Sequence, residues 1–334
     1  MLPSRVGRAL LLYVLVAIAF APDAAVGVGT FWHHDFRHHH DPWRAWAAQK
    51  WLAGEVPWWA SGAGNGFPLL AEGEGGFLYP PTMLLYVLLP DALALSWSVL
   101  GHQVLAALGT WAFLRARGAK PVPAWIGGAA YAWSGFLVSH ALYLGMQNAA
   151  AWLAWGLYAA RVGNGGLLAL CVGLMGLAGH PQAAAFGGLL LALYAGPRRW
   201  GWMALGVAIA SPQLVATREL AAFSQRAGTV ESAFANVGAL PLPELVKAVL
   251  PYAFGFDRPA DVGETYYHRG PGYWGPGVNS WETTFYLGIP VALLAIAGAR
   301  RAKGWAALAV VATLLMLGGP LWEVVRHLPG FGGF

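Results

Sequence analysis

Charge is what this 334-residue chain has least of. Only 10% of its residues are Asp, Glu, Lys or Arg, against about a quarter in an ordinary soluble domain. Cysteine is nearly missing as well. Cys171 stands alone in an apolar stretch, which excludes an intrachain disulfide and any cysteine-built metal cage. There is no P-loop and no dinucleotide fingerprint in a strand–helix setting. GNGF (64–67) and GEGG (73–76) are loop glycines without that context. A cytosolic nucleotide-sugar donor therefore has nowhere obvious to bind.

What the chain has instead is apolar surface. Hydrophobic residues make up 57% of it, with 18 Trp and 22 Pro, and the mean hydropathy is +0.51. Long apolar stretches alternate with short charged or Gly/Pro punctuation. A bilayer crossing needs roughly 20 apolar residues with every backbone group paired internally. Trp belongs at membrane borders, and Pro is tolerated in spans. The pattern predicts an all-α integral membrane protein, a single polytopic bundle over 1–334. A large soluble globule with buried helices is the alternative. The predicted spans are about 9–29, 92–114, 123–139, 145–160, 165–179, 183–196, 200–217, 283–299 and 304–319, with a half-inserted piece at 82–89. The basic, apolar start resembles a signal peptide, but the run to Val28 is long enough to be an uncleaved first helix.

Charge then sets the orientation. With the N-terminus inside, the inner loops hold Arg5, Arg8, Arg115, Arg117, Lys120, Arg161, Arg198, Arg199, Arg300, Arg301 and Lys303. That is eleven of the 20 Lys and Arg, and none of the 15 Asp and Glu falls among them. The basic excess of +5 is thereby explained without a nucleic-acid partner. Two long segments, 30–81 and 218–282, fall outside. The expected location is a bacterial inner membrane, multi-pass, N-terminus cytoplasmic, with the site facing outward.

The first outer segment opens with FWHHDFRHHHDPW (31–43). DPWRAWAAQKWLAG (41–54) reads as a helix: Asp41 suits the N-cap, Pro42 the first turn and Gly54 the end. Trp43, Trp46, Ala47 and Trp51 share one side and Arg44 and Lys50 lie elsewhere, as in an amphipathic helix on the outer leaflet. PLPELVKAVLPYAFG (241–255) reads similarly. Polar residues cluster at the outer ends of spans: His140, Gln147, Asn148, His180, Gln182, Gln213 and Glu219. Polar groups at such depth are costly and point to function, and a shared outer cavity is the simplest arrangement. Deeper, His102 and Gln103 fit a site or plain helix–helix hydrogen bonds. The histidine run could also hold a divalent metal ion, with His34, His38 and Asp41 as possible ligands, or be a solvated loop.

The ordered motifs resemble the bacterial YfhO-like membrane protein family, related to the GT-C class of polyprenyl-phosphate-sugar glycosyltransferases. They are Asp35 with Pro42-Trp43, LAGEVPWW (52–59), GNGFPLLA (64–71), FLYPP (77–81), AYAWSGFLVSH (130–140), AGHPQ (178–182), SPQLVATRELAAFSQR (211–226), LPLPELVKAVLPYAFG (240–255) and ETTFYLG (282–288). The match covers nearly the whole chain in order. His39 and Ala60 stand where the family pattern has Gln and Asn, and the chain ends at LPGFGGF where such chains continue, as in a C-terminally truncated member. The resemblance implies a GT-C-like fold and transfer of a sugar from a polyprenyl phosphate to a glycan, lipid or protein acceptor. Asp35 would be the general base. Arg44, Arg218 and Arg226 would hold the lipid phosphate, and Glu219, His180, Gln182, His39, Asp41 and His140 would position sugar or acceptor. The alternative is a non-enzymatic lipid-linked-glycan transporter or envelope assembly subunit.

Overall fold

The computed structural model describes residues 2–33, 35–224, 236, 238–256, 272–277 and 280–328. Among them the regular structure is helical, with isolated bridges and no strand. In chain order the helices are α1 (Leu2–Phe20), α2 (Pro22–Val26), α3 (Asp41–Leu52), α4 (Pro80–Leu88), α5 (Asp91–Ala116), α6 (Pro121–Ala132), α7 (Gly135–Ser139), α8 (Leu144–Val162), α9 (Gly165–Leu177), α10 (Pro181–Ala195), α11 (Trp200–Ala221), α12 (Ile289–Gly298), α13 (Lys303–Met316) and α14 (Pro320–Arg326).

The expectation of about nine membrane spans is not met. Among the described residues, α5 alone is long and apolar enough to cross a membrane. A second candidate, α13 with α14, is bent by 91° at its break. The reason is that the apolar runs are interrupted. At 1.5 Å per residue the 13 residues of α9 and the 15 of α10 reach roughly 20 Å, against about 30 Å of hydrocarbon. The run 123–139 is two helices, because Ser134 Oγ accepts the Leu137 N–H to start α7 and the Gly135 N–H leaves for Tyr286 O at 2.7 Å. In 283–299 only Ile289 onward is helical, after Gly288 at φ 86°. Pro22 opens α2 where the first apolar run was expected to continue. α11 has 22 residues but carries Pro212, Arg218 and Glu219.

The chain divides into two compact units, Met1–Ala132 with Ala141–Ser224, and Trp133–His140 with Gln225–Phe334. In the first, α5 is the axis and packs against α1, α2, α4, α6 and α8. α8 carries α9 and α10, and α9 packs on α11. Residues 35–81, expected as part of the first outer loop with a surface helix, are folded around a small core of their own. Ala47, Ala60, Leu69, Leu70, Phe77 and Met83 form this core, walled by Trp43, Trp46 and Trp51. Ala60 and Phe67 exchange backbone hydrogen bonds at 2.8 and 3.1 Å, and Trp51 Nε1 donates to Phe77 O at 3.3 Å.

In the second unit, 241–255 is not a surface helix. Leu242–Ala248 is a 3-10 turn that points Glu244 and Lys247 inward. Their 2.8 Å ion pair has no exposed side-chain area. Tyr273 donates to Glu244 at 2.6 Å and Lys247 donates to Thr283 at 2.6 Å. In contrast, α12 and α13 contain no buried residue.

Candidate functional site

The site grows from the histidine run. Phe36–His40 is a π-helical turn that leads straight into α3; such turns are rare and frequent at functional sites. It sets the His39 and His40 rings edge-on, 4.9 Å apart. Asp41 does not cap α3. Its carboxylate accepts from Tyr86 OH at 3.1 Å, tying α3 to α4. Arg44 lies one turn on, and it corrects the reading of α3 as a helix with its charges turned away from the packed side. Arg44, Ala47 and Ala48, at i, i+3 and i+4, are the buried stripe. The two alanines let α3 approach closely, and the guanidinium is carried inside at 1% exposure. Among the described residues none of its three nitrogens has a hydrogen-bond partner.

Above Arg44 lies the loop EGEGG (72–76). Both Glu72 carboxylate oxygens accept the Glu74 N–H at 3.0 Å. Gln213 of α11 donates to Leu70 O at 2.8 Å and to Thr217 Oγ1 at 2.9 Å, which anchors the strip leading into the loop. AGHPQ (178–182) packs on it from the other side. Gly179 has φ +86°, and a Cβ there would sit 2.7 Å from Glu74 O and Gly76 N. Gly76 is equally tight: its Cβ would lie 3.0 Å from Ala178 O and 3.6 Å from Arg44 Nη2. Two glycines facing each other are what allow the loop to rest on the arginine. His180 Nδ1 accepts the Ala183 N–H at 3.1 Å and caps α10, and the residue acts electrostatically on His40.

Burial and mutual charge set the ionisation of the group. Burial lowers Arg44 to about 10, opposed by Tyr86, Glu72 and Asp41. Burial and then Glu74 raise the Glu72 carboxyl to about 7, against hydrogen bonds from the Glu74 and Gly75 backbone and the attraction of Arg44. Burial and then Arg44 lower His39 to about 4, with Asp35 opposing. Burial holds His40 well below its ordinary value and raises Asp41. At neutral pH the site therefore contains a charged guanidinium, neutral imidazoles and a carboxyl poised to change charge. His39 Nε2 lies 3.8 Å from Glu72 Oε2.

Of the residues expected in the site, His39, Asp41 and Arg44 come together, Asp35 acts on His39, and His180 acts on His40. Gln182 sits half-buried in the first turn of α10. Arg218 and Glu219 are exposed at the end of α11, and His38 is exposed on the π turn. His34 and Arg226 lie outside the described residues. His140 belongs to the second unit, buried, 3.8 Å from Glu282. Gln147 donates to Val99 O and Asn148 to Thr82 Oγ1, joining helices. His102 does the same: Trp152 donates to Tyr79 OH, Tyr79 OH lies 2.7 Å from His102 Nε2, and His102 Nδ1 lies 2.6 Å from Ser98 O. A carbonyl at Nδ1 fixes the proton there, so Nε2 accepts from Tyr79. Glu72, Glu74 and Tyr86 were not singled out. The available signal was two acids alternating with glycine in a chain that has few acids.

Comparison of the chain with family models, with curated proteins and with solved structures returns no match. The family resemblance therefore rests on the ordered motifs alone.

Proposed function

We propose that this chain is a membrane-bound transferase that moves a sugar from a polyprenyl-phosphate donor to a glycan, lipid or protein acceptor of the cell envelope. The observation that carries the reading is Arg44, a fully buried guanidinium whose nitrogens have no hydrogen-bond partner among the described residues. A buried charge left in that state costs several kcal/mol, and a phosphate offers the paired acceptors a guanidinium fork is shaped for. In the reaction, the acceptor hydroxyl loses its proton to Asp35 as its oxygen attacks the anomeric carbon. The bond from that carbon to the phosphate oxygen breaks, and the lipid phosphate leaves paired to Arg44. A leaving phosphate needs no strong general acid.

The bilayer is part of the same proposal. No residue of α12 or α13 is buried, and Leu293, Leu294, Ile296 and Val310 are more than half exposed. Apolar faces of that extent need an apolar partner, and a lipid donor brings its own membrane.

Transfer of labelled sugar from polyprenyl-phosphate donors to envelope acceptors tests the reading, comparing native membranes with Asp35→Asn and Arg44→Lys. Loss of transfer by both variants at normal protein level supports it. Full transfer by Asp35→Asn removes the base assignment. Donor binding without transfer by the native protein moves the chain to the non-enzymatic carrier of lipid-linked glycans.

A further inference from the structure

We infer that the end of the first unit built around the C-terminus of α5 is a docking surface for the anionic headgroups of a phospholipid leaflet. Between Asp91 and Glu219 the chain has no Asp or Glu, and the helices of that stretch bring six cations to one end. Arg115 lies in the last turn of α5 and Arg117 caps it, and Lys120 precedes the first residue of α6. Arg161 lies in the last turn of α8, and its Nε donates to Ala116 O at 3.3 Å, which joins that end to α5. Arg198 and Arg199 stand between α10 and α11. A Cβ on Gly163, just past α8, would lie 3.8 Å from Arg199 Nη2. The Phe113 and Tyr194 rings meet edge-on at 5.6 Å and tie the ends of α5 and α10 together.

Helix C-termini attract cations by themselves, and three of the six do serve carbonyls. Arg115 donates to Ala119 O, Arg161 to Ala116 O and Arg199 to Ala195 O. Each contact uses one of the five N–H groups of a guanidinium, and Arg117, Lys120, Arg161 and Arg198 are exposed. Two further observations point to lipid. First, the unit is polarised along its axis. Asp91 opens α5 and acts on Asp41, and the 26 residues of α5 set the basic end about 39 Å away at 1.5 Å each. Second, apolar side chains stand among the cations. Val122 and Leu193 are 67% and 68% exposed, and Trp200 and Trp202 are 52% and 47% exposed. Both indoles are held in place: Trp200 Nε1 donates to Ala192 O at 3.1 Å, and Trp202 lies so close over Gly165 that a Cβ there would collide with it. Trp beside Lys and Arg is the pattern of a membrane border, where each cation strengthens binding to an anionic leaflet about fivefold. A duplex nucleic acid would match the charge but give Val122 and Leu193 no apolar medium.

The inference stands apart from the transferase reading, since none of its residues belongs to the Arg44 site and no sugar donor enters the test. The full-length protein in non-ionic detergent is titrated with dye-labelled phosphatidylglycerol and, separately, dye-labelled phosphatidylcholine, following energy transfer from its tryptophans. Phosphatidylglycerol should bind about tenfold more tightly or better. The triple variant Arg117→Gln, Lys120→Gln, Arg198→Gln removes three exposed cations and should bring phosphatidylglycerol down to the level of phosphatidylcholine, with a thermal melt to verify the fold. Lys120→Gln alone should weaken phosphatidylglycerol about fivefold, which keeps the test open should the triple variant unfold. Equal binding of the two lipids by the native protein, or an unchanged preference in the folded variants, overturns the surface. Displacement of the labelled phosphatidylglycerol by duplex DNA at lower concentration than by unlabelled phosphatidylglycerol also overturns it and gives this end to nucleic acid.

Discussion

Arg44 concentrates the physics of this molecule at one side chain. Its charge is carried inside by α3 and meets Glu72, Asp41 and Tyr86 only through space. Arg44→Met should therefore leave the ligand-free protein as stable as the native one or up to about 4 kcal/mol more stable, as when buried charges are replaced by apolar groups. The same variant should lose all protection by a polyprenyl phosphate, and thermal melts with and without that lipid measure both effects. Gly179→Ala acts oppositely. A Cβ 2.7 Å from the Glu74 and Gly76 backbone, at φ +86°, should cost about 1–3 kcal/mol and displace the EGEGG loop, read by denaturant unfolding. Part of this site was legible: the histidine run, Asp35, Arg44 and AGHPQ stand out against an apolar background. Glu72 and Glu74 did not, because acids flanked by glycine look like a solvated turn. Only the fold shows that AGHPQ closes over them. The burial of Arg44 was hidden because a strip of Trp on α3 outweighs two alanines in any count of apolar residues.

Among the elements, the turn Leu242–Ala248 makes the sharpest demand. Glu244 and Lys247 are both without exposed side-chain area. Lys247→Met leaves the buried Glu244 carboxyl without its cation, which should cost about 3–5 kcal/mol. Adding Glu244→Gln should recover most of that loss, since Gln still accepts from Tyr273. A double-mutant cycle by urea unfolding checks the recovery. The same turn explains why elements were harder to read than residues. A window of hydropathy records that PLPELVKAVLP is apolar with two charges, and cannot record that the charges satisfy each other inside. Windows also hide breaks. Residues 92–114 were read as one span and α5 runs Asp91–Ala116, because nothing in that stretch interrupts a helix. The run 123–139 looked equally apolar, but Trp133-Ser134-Gly135 supplies a cap for a new helix, and Gly288 delays α12 to Ile289.

At the scale of the whole molecule the open matter is what covers the apolar faces. α5 is apolar and yet largely enclosed by its neighbours, so its composition alone does not call for lipid. α12 and α13 are different, because none of their residues is buried and Leu293, Leu294, Ile296 and Val310 are more than half exposed. If the bilayer covers them, an environment-sensitive dye placed there should report hydrocarbon. Cys171, the single cysteine, is buried and is replaced by Ala. One new cysteine is then introduced at Leu293 or Val310, which are 62% and 59% exposed, and a third variant carries it at Glu55, 59% exposed in its side chain. In lipid vesicles the dyes at Leu293 and Val310 should shift to the blue and be quenched by spin-labelled acyl chains, while the dye at Glu55 stays in water. A folded chain whose Leu293 and Val310 dyes both remain aqueous would leave those faces in water and remove the bilayer from the proposed function, while a blue shift without quenching by the acyl chains would assign them to a protein partner; neither outcome touches the buried Arg44.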